Sequence, residues 1–102
     1  MTGFILAPDA DEDVFQIWAY LFTRAGIETA NRVEADLYNT FASLAATPGQ
    51  GHQRVDLTKD PVLFFTVFQY MIVYRPKTPL EIVRVLHGKR NVRRILKESS
   101  PQ

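Results

Sequence analysis

The chain has 102 residues, 46% of them hydrophobic and 23% charged, which is enough apolar content for one core in one domain. It contains no cysteine, so disulfide staples and thiolate metal sites are excluded, and its longest apolar run, residues 61–74, is too short for the roughly 20 residues of a membrane helix. The formal net charge is only +1, but residues 1–51 carry seven carboxylates against two arginines while residues 52–102 carry ten Lys/Arg against four carboxylates, so a basic pole suited to an acidic peptide or a nucleic acid is expected.

In chain order, residues 3–7 form a short apolar strand that Pro8 stops. No basic n-region precedes it and Asp9, Asp11, Glu12 and Asp13 follow early, the reverse of a secretory signal, so a soluble cytoplasmic protein is expected. Pro8 suits the first turn of a helix, and the acidic cluster lies where the helix dipole favours negative charge. Ala10, Val14, Ile17, Trp18, Leu21, Phe22 and Ala25 recur at spacings of three and four and make one apolar face, and Gly26 is the expected left-handed stop. A second helix follows Ile27, with Ala30, Val33, Leu37, Phe41 and Leu44 on one face and Glu28, Arg32, Asp36 and Asn39 on the other. It ends before Pro48-Gly49-Gln50-Gly51. Trp18, Phe22 and Phe41 are assigned to the core.

Residues 52–61 read as the longest loop, offering Arg54 and Lys59. Residues 62–67 are apolar on both faces, as in a strand covered by helices on one side and by a partner or tail on the other. At Phe68-Gln69 the chain must turn, yet Phe fits poorly to the positive φ of a two-residue turn. Either the turn is wider, or Phe68 is exposed and marks a protein contact. Two β-branched and aromatic runs, residues 64–74 and 80–86, flank Pro76-Lys77-Thr78-Pro79 and form a hairpin. Strict alternation places Leu80, Ile82, Arg84 and Leu86 on one face and Glu81, Val83, Val85 and His87 on the other. Arg84 must then snorkel or pair, and is expected near the solvent-facing surface of the sheet. Residues 91–97 make a short helix with Val92, Ile95 and Leu96 on one side and Lys89, Arg90, Arg93, Arg94 and Lys97 around it; residues 99–102 are expected to fray. The order β-α-α-β-β-β-α predicts an α+β domain over residues 1–98, with a helical hairpin on a small, mainly antiparallel sheet.

The chain has no P-loop, dinucleotide glycine pattern, nucleophile elbow or Cys/His metal spacing, and neither His52 nor His87 has a partner at ligand spacing. No metal or cofactor is expected. The reaction left open is RNA cleavage, in which a base takes the 2′-OH proton, an acid serves the leaving oxygen and cations stabilise the phosphorane-like state. His87, Tyr74, Arg75, Arg84 and Arg90 have the functional groups for it. Equally, Tyr74 can bond backbone and His87 can close the sheet.

The string Tyr70-Met71-Ile72-Val73-Tyr74-Arg75-Pro76, followed by Ile82-Val83-Arg84-Val85-Leu86-His87-Gly88-Lys89-Arg90, resembles the C-terminal signature of the RelE/ParE superfamily of bacterial toxins, and is nearer the ParE branch. The early strand ending in Ala7-Pro8, then Ala30, Arg32, Phe41, Leu44 and Pro48, extends the resemblance over most of the chain. It implies a type II toxin neutralised by a separate antitoxin whose extended or helical C-terminal segment wraps it, in a toxin–antitoxin hetero-oligomer. RelE-like members cut messenger RNA in the ribosomal A site, whereas ParE-like members lack that residue set and inhibit DNA gyrase. This chain lacks the lysine-rich loop of the former, having only Arg54 and Lys59. It also carries Leu63 where ParE sequences often have a basic residue, and Phe68-Gln69 in place of a glycine-containing turn. The resemblance therefore implies a gyrase-binding toxin with Arg54, Phe68, Arg75, Arg84, Arg90, Arg93 and Arg94 meeting antitoxin or target. The alternatives are a ribosome-dependent endoribonuclease using His87, Arg84, Arg75 and Tyr74, and a non-toxic interaction domain.

Overall fold

The computed structural model describes residues 3–99. Strand β1 (Phe4–Leu6) runs through Ala7 into α1 (Pro8–Ala25), whose second acidic residue, Asp11, donates its N–H to the Ala7 carbonyl. Gly26 alone joins α1 to α2 (Ile27–Ala46). Its φ of 94° with ψ of 170° is a backbone state that residues with a Cβ rarely adopt, and it caps both helices, donating to Phe22 and accepting from Ala30. A turn of 3₁₀ helix (Pro48–Gln50) and an irregular segment lead to β2 (Leu63–Val67), β3 (Tyr70–Arg75) and β4 (Leu80–His87). Helix α3 (Val92–Ser99) follows, with the side chain of Asn91 accepting the Arg94 N–H at its start. The expected fraying concerns mainly residues 100–102, which lie outside the described residues, while Ser99 closes α3.

The sheet order is β1-β4-β3-β2, with β1 parallel to β4 and the other neighbours antiparallel, the α+β arrangement expected from the sequence. On one face the helical hairpin buries Ala10, Val14, Leu37, Phe41 and Leu44 against Ile72, Tyr74, Leu80, Ile82 and Val85. On the other, α3 lays Val92 and Leu96 on Val62, Phe64, Val73 and Leu86. The two-faced apolar pattern of β2 is thus met by the chain's own C-terminal helix, the tail of the two coverings, partner or tail, that the sequence left open.

Two expectations about side chains change, and one open alternative is decided. Phe41 is core, but Trp18 is only half-buried and Phe22 is 48% exposed; they stack on each other at 5.2 Å, and Trp18 Nε1–H donates to Asn31 Oδ1 at 2.8 Å. Both lie beyond Ala10 and Val14, the buried residues of α1, towards the end of the hairpin, where Trp18 reaches across to α2 instead of down to the sheet. Secondly, alternation along β4 breaks at a bulge. Val73 pairs with Arg84 and Tyr74 with Ile82, leaving Val83 unpaired and shifting the pleat by one residue. Val85 therefore joins Leu80 and Ile82 under the helices. Of the two alternatives at Phe68-Gln69, the exposed Phe68 holds: Val67 pairs with Tyr70, so the turn has two residues, and Phe68 takes φ of 55° and is 58% exposed. A Cβ-bearing residue there costs about 1–2 kcal/mol. Replacing Phe68 by Asn, which tolerates this region, is expected to raise stability by about 1 kcal/mol in urea denaturation; a decrease would show that the ring is held by packing.

Strand β2 is outermost. Among the described residues only Phe64 exchanges backbone bonds on that side, with His52 at 2.8 and 2.9 Å. Because Phe64 faces outward, Thr66, two residues on, presents its N–H and C=O outward too.

Candidate functional site

The residues singled out in the sequence fall into three groups. Tyr74 and Arg75 lie at one end of the β3–β4 ladder, opposite Ile82 and Glu81, while His87 lies opposite Tyr70 at the other. Four residues along a strand amount to about 13 Å. Tyr74 is completely buried; its hydroxyl donates to the Pro48 carbonyl at 2.6 Å and accepts the Gly51 N–H at 2.9 Å. Burial pushes its ionisation above the ordinary value of 10, against the opposing effect of the Gly51 N–H. It fastens the segment after α2 to the sheet.

Arg75 pairs with Glu81 at 3.3 Å, and Lys77 approaches the same carboxylate at 3.8 Å. Arg84 is not at the solvent-facing surface. Its side chain is 13% exposed and meets the 11% exposed Asp13 of α1, with Nε at 2.7 Å and Nη2 at 2.9 Å from the two carboxylate oxygens. Asp13 also accepts the Val85 N–H at 2.9 Å. Since β1 pairs only with residues 80–82, the carboxylate continues the edge of β4 where the neighbouring strand has run out. The hydrogen bonds to Asp13 hold the Arg84 guanidinium still more firmly protonated, outweighing the cost of its burial. Arg75 and Arg84 line a cleft of about 340 Å³ beside Val83 and Leu96.

The third group is the basic end of the molecule. His87 stands edge-on to Tyr70, with ring centroids 5.9 Å apart, and its Nδ1 accepts the Lys89 N–H at 3.1 Å. His87 and Arg90 line a second cleft, of about 450 Å³, between α1 and the end of the β3–β4 ladder. Arg93 is exposed, and Arg94 makes an exposed contact of 3.3 Å with Glu98 that adds little to stability. Arg54 grips Asp56 through two hydrogen bonds of 3.0 and 2.8 Å in the loop before β2. These bonds raise the Arg54 pKa and lower that of Asp56. Phe68 sits at the far tip of the β2–β3 hairpin. Among the described residues no three His, Cys, Asp or Glu side chains gather as metal ligands, and no helix is long and apolar enough to cross a membrane.

The nominated residues thus form a dispersed surface rather than one centre. Sequence reasoning missed Asp13, Tyr20 and Tyr70. A signal for the first two existed, because Asp13, Ile17, Tyr20 and Arg24 recur at spacings of four, three and four, a second stripe beside the apolar face.

The same arrangement occurs in known proteins. A chain from the chromosomal ParDE toxin–antitoxin system of P. aeruginosa superposes with a TM-score of 0.71 over 87% of this chain and 98% of its own length, at 20% sequence identity, a likeness of fold. Toxin ParE1 of Caulobacter vibrioides is 30% identical over 93 residues, 91% of this chain and 96% of that protein. The family model for the ParE toxin of the type II toxin–antitoxin system parDE matches residues 4–92. The chain belongs to the ParE toxin family of type II toxin–antitoxin systems.

Proposed function

We propose that this protein arrests growth by binding DNA gyrase, and that a cognate antitoxin in the same cytoplasm holds it inactive by covering its basic surface. The observation that carries a binding role, rather than RNA cleavage, is how the nominated catalytic groups are employed. The Tyr74 hydroxyl is spent on Pro48 and Gly51, Arg84 on Asp13 and Arg75 on Glu81, and His87 stands at the opposite end of the ladder. A general acid, a general base and a phosphorane-stabilising cation must converge within hydrogen-bond reach of one phosphodiester, and these four do not. What remains at the surface is exposed cations, Arg90 and Arg93 among them, and an exposed aromatic at Phe68. Such groups recognise protein surfaces.

Purified protein added to gyrase and relaxed plasmid is expected to abolish supercoiling, and the neighbouring-gene antitoxin to restore it. Undiminished supercoiling at a large excess of toxin would overturn the gyrase assignment. Codon-aligned messenger RNA cuts after induction, lost in His87→Ala, would transfer the protein to the nuclease class.

A further inference from the structure

The two clefts flanking β4 differ in what they leave unsatisfied. Around the Arg75–Arg84 cleft the arginines already have carboxylates, Glu81 and Asp13, and α3 lies across the apolar floor. The arginine lining the second cleft has none: among the described residues Arg90 has no acidic partner within ion-pair distance, and beyond the lining Arg24 lies over the ring of Tyr20, 5.0 Å from its centroid. The floor is Ile17, Val85 and the buried Tyr70, and Tyr20, 57% exposed, forms one wall. With Nδ1 of His87 taken by Lys89, Nε2 is the ring's remaining donor.

We infer that this cleft, between α1 and the His87–Arg90 turn, is the docking site for an acidic segment of the antitoxin, with a carboxylate on Arg90 and an apolar side chain on Ile17, Tyr20 and Val85. The inference rests on the toxin reading and adds the place of contact. Charge complementarity selects the occupant: the rim is cationic, the floor apolar, and the one carboxylate lining the cleft, Asp13, is neutralised by Arg84. A nucleic acid fits less well. Its continuous phosphate chain would run on to the start of α1, where Asp9, Asp11 and Glu12 are exposed, whereas a peptide presents one or two carboxylates and an apolar side chain at the cleft alone.

The test uses the full chain and three probes: a short peptide alternating Glu and Leu, its Lys/Leu counterpart, and a single-stranded RNA of matching length. Binding is followed by NMR shift perturbation and titration. The Glu/Leu peptide is expected to perturb Ile17, Tyr20, Tyr70 and Val85, to lose affinity on raising salt, and to bind about tenfold more weakly to Arg90→Glu. Arg24→Glu, also at an exposed site, is expected to weaken it in the same sense. The Lys/Leu peptide is expected to gain affinity for Arg90→Glu, an outcome that misfolding cannot produce. Perturbations centred on Arg75 and Leu96, unchanged affinity for both variants, or tighter binding of the RNA would each overturn the inference. Failure of the toxin reading is separate: it shows as wild-type protein that spares gyrase. An antitoxin that restores supercoiling equally well with Arg90→Glu would leave that reading standing and remove this docking site.

Discussion

Asp13→Ala is expected to destabilise the fold by about 3–5 kcal/mol. The carboxylate accepts three hydrogen bonds, two from Arg84 and one from the Val85 N–H, at 2.7 to 2.9 Å, and both side chains of the ion pair are more than four-fifths buried. Truncation removes the carboxylate that grips the Arg84 guanidinium, leaving Asp9 as a weaker acidic influence on it, and leaves a strand N–H unpaired. The cost is therefore that of breaking a largely buried charge pair, not the small worth of a surface pair. Adding Arg84→Met should recover much of the loss, because the double variant removes the charge as well as its partner. Urea denaturation of the single and double variants measures both numbers. A single-variant loss below about 1 kcal/mol would mean that Arg84 finds water and that the pair is a surface contact.

Gly51→Ala should cost about 3 kcal/mol, through overpacking and through lost hydrogen bonds. A Cβ at this position would stand 2.6 Å from the Tyr74 hydroxyl and 2.9 Å from both Tyr74 Cε1 and the Phe64 carbonyl. Neither neighbour can retreat: Tyr74 is completely buried and Phe64 is fixed in the sheet by its bonds to His52. Tyr74→Phe alone should cost about 1–3 kcal/mol by leaving the Pro48 carbonyl and the Gly51 N–H without their partner. With the hydroxyl gone, the nearest contact to the new methyl disappears. The double variant should be less damaged than the sum of the singles, and strict additivity in that cycle would refute the clash.

The legible and illegible parts of this protein divide by the range of the interactions involved. Helices and strands came from local periodicity, and their order was enough for the architecture; Gly26 and Pro8 marked boundaries because their backbone preferences are intrinsic. The bulge at Val83 was not legible, since it depends on the pairing of β4 with β3 and not on any residue of β4 itself. That slip altered which residues share a face with Arg84. Its ion pair joins positions 71 residues apart, so spacing alone could not reveal it. Trp18 and Phe22 lie on the stripe that periodicity finds, but periodicity does not say which part of the stripe the fold buries. The burial of Tyr74 beside the glycine of the preceding loop was likewise a tertiary fact. The basic residues were recognisable as a group, but which of them are already neutralised by the fold was not.

The outermost position of β2 bears on the life of the molecule before it meets any partner. From Pro61 to Tyr74 the chain holds no charged residue, and among the described residues His52 alone closes its border, at one rung. Proteins usually guard such borders with lysine, proline or a covering element, and here Thr66 offers its peptide group to any extended polypeptide that arrives. A newly made copy is therefore sticky towards its siblings, so concentrated stocks of the lone subunit should cloud on standing, and the gene is best expressed together with whatever shields that margin.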